Sequence, residues 1–138
     1  MSAIALTAAK IAPVFADECR IRTYIAAETI TAGQAVYRNS SGDAALADAN
    51  GSGTLQFRGI ALCGAGAGYA VDVLEEGECY GFTLAGAYDA LAYVSNTAGG
   101  LDTAAGGTSI VAGRITCLAD PDRTKVLYVS AKMNGDWA

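Results

Sequence analysis

Apolar and polar positions along this chain alternate in short runs broken by glycine. Nowhere does an apolar residue recur at helical spacing for about ten residues between capping signals, so helix is expected to be minor. Residues 19–26 alternate as a strand, with Ile21, Thr23 and Ile25 on one face and Arg20, Arg22 and Tyr24 on the other. After the turn at Ala32-Gly33, residues 35–38 read as a strand, and Asn39-Ser40-Ser41-Gly42 has the chemistry of a hairpin loop returning residues 43–47 alongside. Residues 47–54 form a polar tip containing the turn former Asn50-Gly51. A buried strand follows over 56–63, then a small-residue loop at 64–68 and a strand over 70–74. Glu75-Glu76-Gly77-Glu78 reads as a charged turn leading to a strand over 79–84, where Tyr80, Phe82 and Leu84 share a face and Cys79 points away from them. Runs at 91–95, 111–118 and 125–132 complete the set. Short strands spaced about 8–12 residues apart predict an all-β fold, a compact small barrel or sandwich of short antiparallel strands.

The layout of residues 29–62 returns, more loosely, over 87–118. Ala35-Val36-Tyr37 corresponds to Leu91-Ala92-Tyr93-Val94, and Gly59-Ile60-Ala61-Leu62-Cys63 to Gly113-Arg114-Ile115-Thr116-Cys117. The spacing therefore suggests an internal pseudo-repeat within a single β domain over 19–138. Ahead of it, residues 1–18 read as an extended N-terminal arm, small-residue-rich and apolar, with Pro13 holding Ala12 in an extended conformation. Ala12-Pro13-Val14-Phe15-Ala16 imitates the end of a secretory signal, but a positive leading region is missing and Lys10 interrupts the apolar stretch.

Composition narrows the picture. At 138 residues the chain has the size of one domain, and its 52% hydrophobic content comes largely from alanine, with aromatics at 8%, which implies a tightly packed core with few large anchors. Seventeen glycines against two prolines fit tight turns. A net charge of −5, with nine basic residues scattered singly, argues against a nucleic-acid partner. No run approaches the ~20 apolar residues of a membrane-spanning helix. The absence of histidine removes the commonest general base and metal ligand.

Catalytic constellations fail one by one. The glutamates at 75–78 lack the converging oxygens of a hard-cation loop, and the glycines at 64–68 lack the Lys-Ser/Thr ending and following helix of a phosphate cradle. No G-x-S-x-G elbow, Ser-His pair or Cys-His pair can be built, so no enzyme, cofactor or metal is expected. Cys19, Cys63, Cys79 and Cys117 are too widely spaced for a zinc ribbon and read as small buried side chains. Cys19, where the arm meets the first strand, and Cys79 are the candidates for an inter-subunit disulfide.

Taken in order, Ala12-Pro13-Val14-Phe15, Tyr24-Ile25-Ala26, residues 30–37, Arg58-Gly59-Ile60-Ala61-Leu62, the valine-rich strand before Gly77, Val94-Ser95, residues 97–101, Gly113-Arg114 and residues 126–130 resemble the head-decoration, or cement, proteins of tailed bacteriophages, the DUF2190-like group. The four cysteines, and the absence of a proline and a lysine beside Phe15, depart from that pattern. The resemblance implies a structural protein made in the host bacterial cytoplasm. It would bind the outer capsid surface of the virion as a homo-oligomer, a trimer being favoured, and reinforce the shell. Its partners would be the major capsid protein and itself. The expected interface residues are Ile4, Leu6, Ile11, Val14 and Phe15 of the arm and Arg20, Arg22 and Tyr24 of the first strand. A phage tail-tube or fibre-attachment protein, or a secreted binding module, are the alternatives.

Overall fold

A computed structural model of the chain describes residues 3–50 and 57–131; residues 51–54 of the polar tip, together with Lys132, lie outside the described residues. The fold is all-β, an antiparallel sheet curled into a half-barrel. Its strands are β1 (Ala12–Pro13), β2 (Arg20–Ile25), β3 (Ala35–Arg38), β4 (Ala44–Leu46), β5 (Phe57–Ala61), β6 (Ala70–Tyr80), β7 (Leu91–Val94), β8 (Leu101–Asp102), β9 (Val111–Cys117) and β10 (Lys125–Ser130). Single 3₁₀ turns at Ala8–Lys10 and Ala16–Glu18 are the only helical elements among the described residues.

The strand order, β4-β3-β5-β6-β10-β9-β7-β8, describes one plan from either end. A short hairpin (β3–β4, β7–β8) is followed by a strand that pairs back on the hairpin's first member (β5, β9), then by a further strand (β6, β10); β6 and β10 meet in the middle. Both returning strands shift register at a glycine, Gly59 opposite Val36 and Gly113 opposite Ala92. The reason is close approach. A Cβ on Gly59 would run into the Leu74 carbonyl of β6 and lie 2.8 Å from Val73 Cγ1, and one on Gly113 would run into the Tyr128 carbonyl of β10 and lie 3.2 Å from Val129 Cα. Only glycine lets these backbones pass.

Two cores result, because consecutive strand residues point to opposite faces. The larger collects Ile60, Leu74, Ile110, Leu127 and Val129 from both halves, all fully buried. The smaller, holding Tyr24, Ala26, Ile30, Val36, Ala44, Ala61, Val71 and Val73, belongs to the first half. It is enclosed by a ring of pairings, β2 to β6 to β5 to β3 to β4, which closes where Ala26 bridges Ala44 and the Ala27 N–H donates to the Ala44 carbonyl at 2.7 Å. Burying each large aliphatic side chain contributes about 1.5–3 kcal/mol. With many alanines among them, the cores rely on close packing.

Two sequence expectations need correction here. The glutamates at 75–78 are not a turn: β6 runs straight through them to Tyr80. A bulge accounts for it. Arg20 pairs with Glu76 but Ile21 with Leu74, so Glu75 is the extra residue. Inserting one residue reverses which parity faces inward, and this obscures the alternation that marks a strand. Beyond the bulge Cys79 points into the core and Tyr80 outward, the reverse of the expected facing, and Phe82 is buried after a break at Gly81.

The second correction concerns the arm, which is laid over its own body. Ala3 bridges Asp102, Leu6 bridges Phe82, and β1 pairs with β6 as Ala12 to Tyr80 and Pro13 to Cys79. Its backbone donors are satisfied on the way, Ile4 by Leu101 at 3.0 Å, Thr7 by Gly81 at 2.8 Å and Val14 by Glu78 at 2.9 Å. Ile11 is buried, and Ile4 and Leu6 pack against the larger core. Apolar side chains that can reach a core of their own chain bury there first, since no association entropy opposes it.

Candidate functional site

The residues expected at an interface separate into three groups. Ile4, Leu6 and Ile11 are occupied within the molecule and leave the list of free contacts. Val14 and Phe15 stay at the surface, with Phe15 53% exposed. The 3₁₀ turn that follows, closed by Glu18 N–H donating to the Phe15 carbonyl at 2.9 Å, holds Phe15 at the crest of a bend. Clefts open on either side of it. One, of ≈ 190 Å³, is lined by Glu18, Cys19, Gly77, Glu78 and Tyr128, and the other, of ≈ 380 Å³, by Val14, Glu78, Tyr80, Cys117 and Asp120 among others. Phe15 thus stands exposed between two clefts that share Glu78, with Tyr80 partly exposed nearby.

Arg20, Arg22 and Tyr24 do share one face of β2, but that face turns inward at Tyr24, which is buried, while Ile21 and Ile25 are 38% and 47% exposed. Chemistry explains the inversion. Glu75 is carried inward by the bulge and buried, so both its oxygens need donors. Arg20 Nε donates to Glu75 Oε1 at 3.0 Å, and the Tyr24 hydroxyl makes a short hydrogen bond to Glu75 Oε2. A hydrogen bond to a charged group is worth about 1.5–3 kcal/mol. The Arg20 contribution sits at or below the low end, because its side chain is 65% exposed and screened by solvent. Burial holds the Tyr24 hydroxyl above the usual tyrosine range, and the Glu75 carboxylate that accepts its proton adds to this; the charges of Arg22 and Arg58 pull the other way.

Around Tyr24 the fold gathers arginines that are scattered in sequence. Arg22 lies 5.6 Å and Arg38 5.4 Å from the ring centroid, each contact worth about 0.5–1 kcal/mol at exposed sites. Arg58, on the bulged part of β5, is close enough to act on the same hydroxyl. Asp72, which accepts from Thr23 Oγ1 at 2.7 Å, and Asp43, adjacent to the Ala44 that pairs with Arg38, set negative charge beside these arginines. No linear motif marks this cluster. Its members are brought together by the ring of pairings, and the one local signal was the Arg-x-Arg-x-Tyr alternation of β2.

The cysteines are free thiols. Cys79 is fully buried, and burial pushes its thiol up to about 12, which removes it as a partner for another subunit. Cys19 is half-buried and packed over Gly77, its thiol raised chiefly by burial. Among the described residues no group of acidic or thiol side chains is arranged to hold a metal ion, and no helix is long and apolar enough to cross a membrane. In comparisons with protein families, curated proteins and solved structures, nothing matches the chain.

Proposed function

We propose that this chain is a structural virion protein that binds the outer surface of a phage capsid, in several copies, and reinforces the shell without turning over a substrate. The observation that carries the reading is Phe15, an exposed aromatic fixed at a bend between two clefts by a segment pinned to the body along residues 3–14. Rigid aromatic anchors of this kind dominate protein interfaces because they bury much area at little entropic cost. Burying the remaining half of Phe15, on the order of 100 Å², would contribute about 2.5 kcal/mol. That is modest for one contact, but a lattice that engages many copies at once multiplies it. The acidic rim from Glu18, Glu78 and Asp120 directs the crest toward a basic or neutral partner surface.

The test is cosedimentation of purified protein with expanded capsids that lack it, followed by cryo-EM of the decorated particle. Saturable binding with ordered density on the shell exterior, weakened about tenfold or more per site by Phe15→Ala, supports the reading. Rings or shafts of the free protein in negative stain, with no capsid binding, would replace it with a tail-tube role.

A further inference from the structure

We propose that the slot holding residues 3–14 also takes the same residues of a second copy of this chain, so that neighbouring subunits exchange arms. This rests on the geometry of the monomer and needs no capsid. In the first half the ring of pairings closes on itself, Ala26 against Ala44. The second half repeats the ring, β6 to β10 to β9 to β7 to β8, but among the described residues no pairing joins β8 directly to the end of β6. The arm stands in that gap. On the β8 side Ala3 bridges Asp102 and the Ile4 N–H donates to the Leu101 carbonyl; on the β6 side Leu6 bridges Phe82, the Ala5 carbonyl accepts from the Thr83 N–H at 2.8 Å, and the Thr7 N–H donates to the Gly81 carbonyl. Without an inserted segment these backbone groups of Gly81, Thr83 and Leu101 lose their partners, so the second ring is incomplete in the body alone.

Nothing in the slot distinguishes which copy supplies the segment. The backbone partners of the arm, from Glu78 to Leu101, lie in the body, and the turn from Thr7 to Ile11 is internal to the arm. An exchanged arm therefore makes the contacts of a resident one, with Ile11 buried and Ile4 and Leu6 against the larger core. Concentration and the connecting segment then set the balance between the two. That segment carries slack. Between Pro13 opposite Cys79 and Arg20 opposite Glu76 the chain takes seven steps where β6 takes three. The surplus is folded into the 3₁₀ turn Ala16–Glu18, held where the Glu18 N–H donates to the Phe15 carbonyl at 2.9 Å and the Cys19 N–H to the Ala16 carbonyl at 3.2 Å. A single 3₁₀ turn has poor hydrogen-bond geometry and opens readily. Once extended, the link over residues 14–19 reaches about 20 Å, twice the spacing of packed sheets, which carries the arm across a subunit boundary.

The experiment uses the full-length protein with the photo-cross-linker p-benzoylphenylalanine in place of Ala3, which is exposed, prepared in natural-abundance and heavy-nitrogen forms. Equal amounts are mixed, unfolded in urea and refolded over a range of concentrations. Light then joins residue 3 to whichever body holds it, and mass spectrometry of the peptide attached near Asp102 shows whether both parts carry the same label. Cross-links of mixed label should approach half of the total at about 1 mM and fall about fivefold or more by about 1 μM. Removing residues 15–18 leaves three steps on both strands, makes arm and β2 one continuous strand, and should cut mixed cross-links about fivefold or more at every concentration. Circular dichroism checks that this shortened chain folds, and the first result stands by itself where it does not. Cross-links of single label alone at the highest concentration, whether the protein is then monomeric or associated through another surface, would overturn the proposal, as would mixed cross-links that a folded, shortened chain leaves unchanged.

Discussion

Replacing Gly113 by alanine tests the packing logic of the whole sheet. The added methyl would collide with the Tyr128 carbonyl oxygen and lie 2.9 Å from the carbonyl carbon and 3.2 Å from Val129 Cα, all of them backbone atoms of β10. A side chain could rotate away; β10 cannot, because it is laddered to β6 on its far edge and its Leu127 and Val129 are fully buried. Relief therefore means pushing β9 and β10 apart by about 1 Å, at an overpacking cost of about 1–3 kcal/mol. Two or so ladder hydrogen bonds weaken with it, adding about 1 kcal/mol each. The sum is about 3–5 kcal/mol, a large share of a domain's stability. For a domain of this size that lowers Tm by about 10–20 °C, read by calorimetry and by urea unfolding with m unchanged. Gly68→Ala is the control: its φ is +87° but nothing lies within 4 Å, so only the left-handed strain of about 1–2 kcal/mol applies. Gly59→Ala, the equivalent position in the first half, should cost at least as much as Gly113→Ala, since its φ of +153° adds strain to the clash with Leu74. Were Gly113→Ala no worse than Gly68→Ala, the account of why both halves bulge at a glycine would be wrong.

Three further outcomes follow from the same structure. Tyr24 has its folded-state pKa raised above the ordinary 10.0, so the unfolded chain ionises first as pH rises and stability declines from about pH 10 upward; Tyr24→Phe should flatten part of that decline in Tm against pH, leaving the share due to Tyr128, which is raised in the same direction, and should cost about 1–3 kcal/mol at neutral pH for the Glu75 oxygen left without its donor. Alkylation at pH 8 followed by peptide mapping should find Cys79 unmodified in the native protein and modified in urea, and a cross-linked dimer through Cys79 would contradict its inward facing. Ile11→Ala should destabilise the isolated protein by about 2–4 kcal/mol in urea unfolding, whereas an arm that served only a partner would leave the free protein unchanged.

Much of the fold was legible because alternation and turn chemistry are local. The β3–β4 hairpin with its Asn39–Gly42 loop, the strands at 91–94, 111–117 and 125–130, and the corresponding glycines at 59 and 113 could all be read from spacing. Glu75 was not legible as a strand residue, since a bulged, buried glutamate has the sequence character of a charged turn until Arg20 and Tyr24 are placed beside it. For the same reason Tyr24 read as a polar contact on the face of Arg20 and Arg22. The arginine cluster was invisible because its members lie on β2, β3 and β5, and only the closure of the ring brings them together. Phe15 is exposed, whereas Ile11 is buried and Ile4 and Leu6 pack against the larger core, because nothing in an apolar run says whose core it will enter.

The route of residues 3–14 across the body also bears on biosynthesis. Ala3 and Ile4 find their places on Leu101 and Asp102, and Leu6 on Phe82, so this stretch leaves the ribosome long before the surfaces that receive it exist. Until then its apolar side chains are open to other clients, and sequence-distant closure of this kind is slow. The piece translated early is thus among the last to lock, which makes the nascent polypeptide, rather than the finished one, the form most in need of a chaperone.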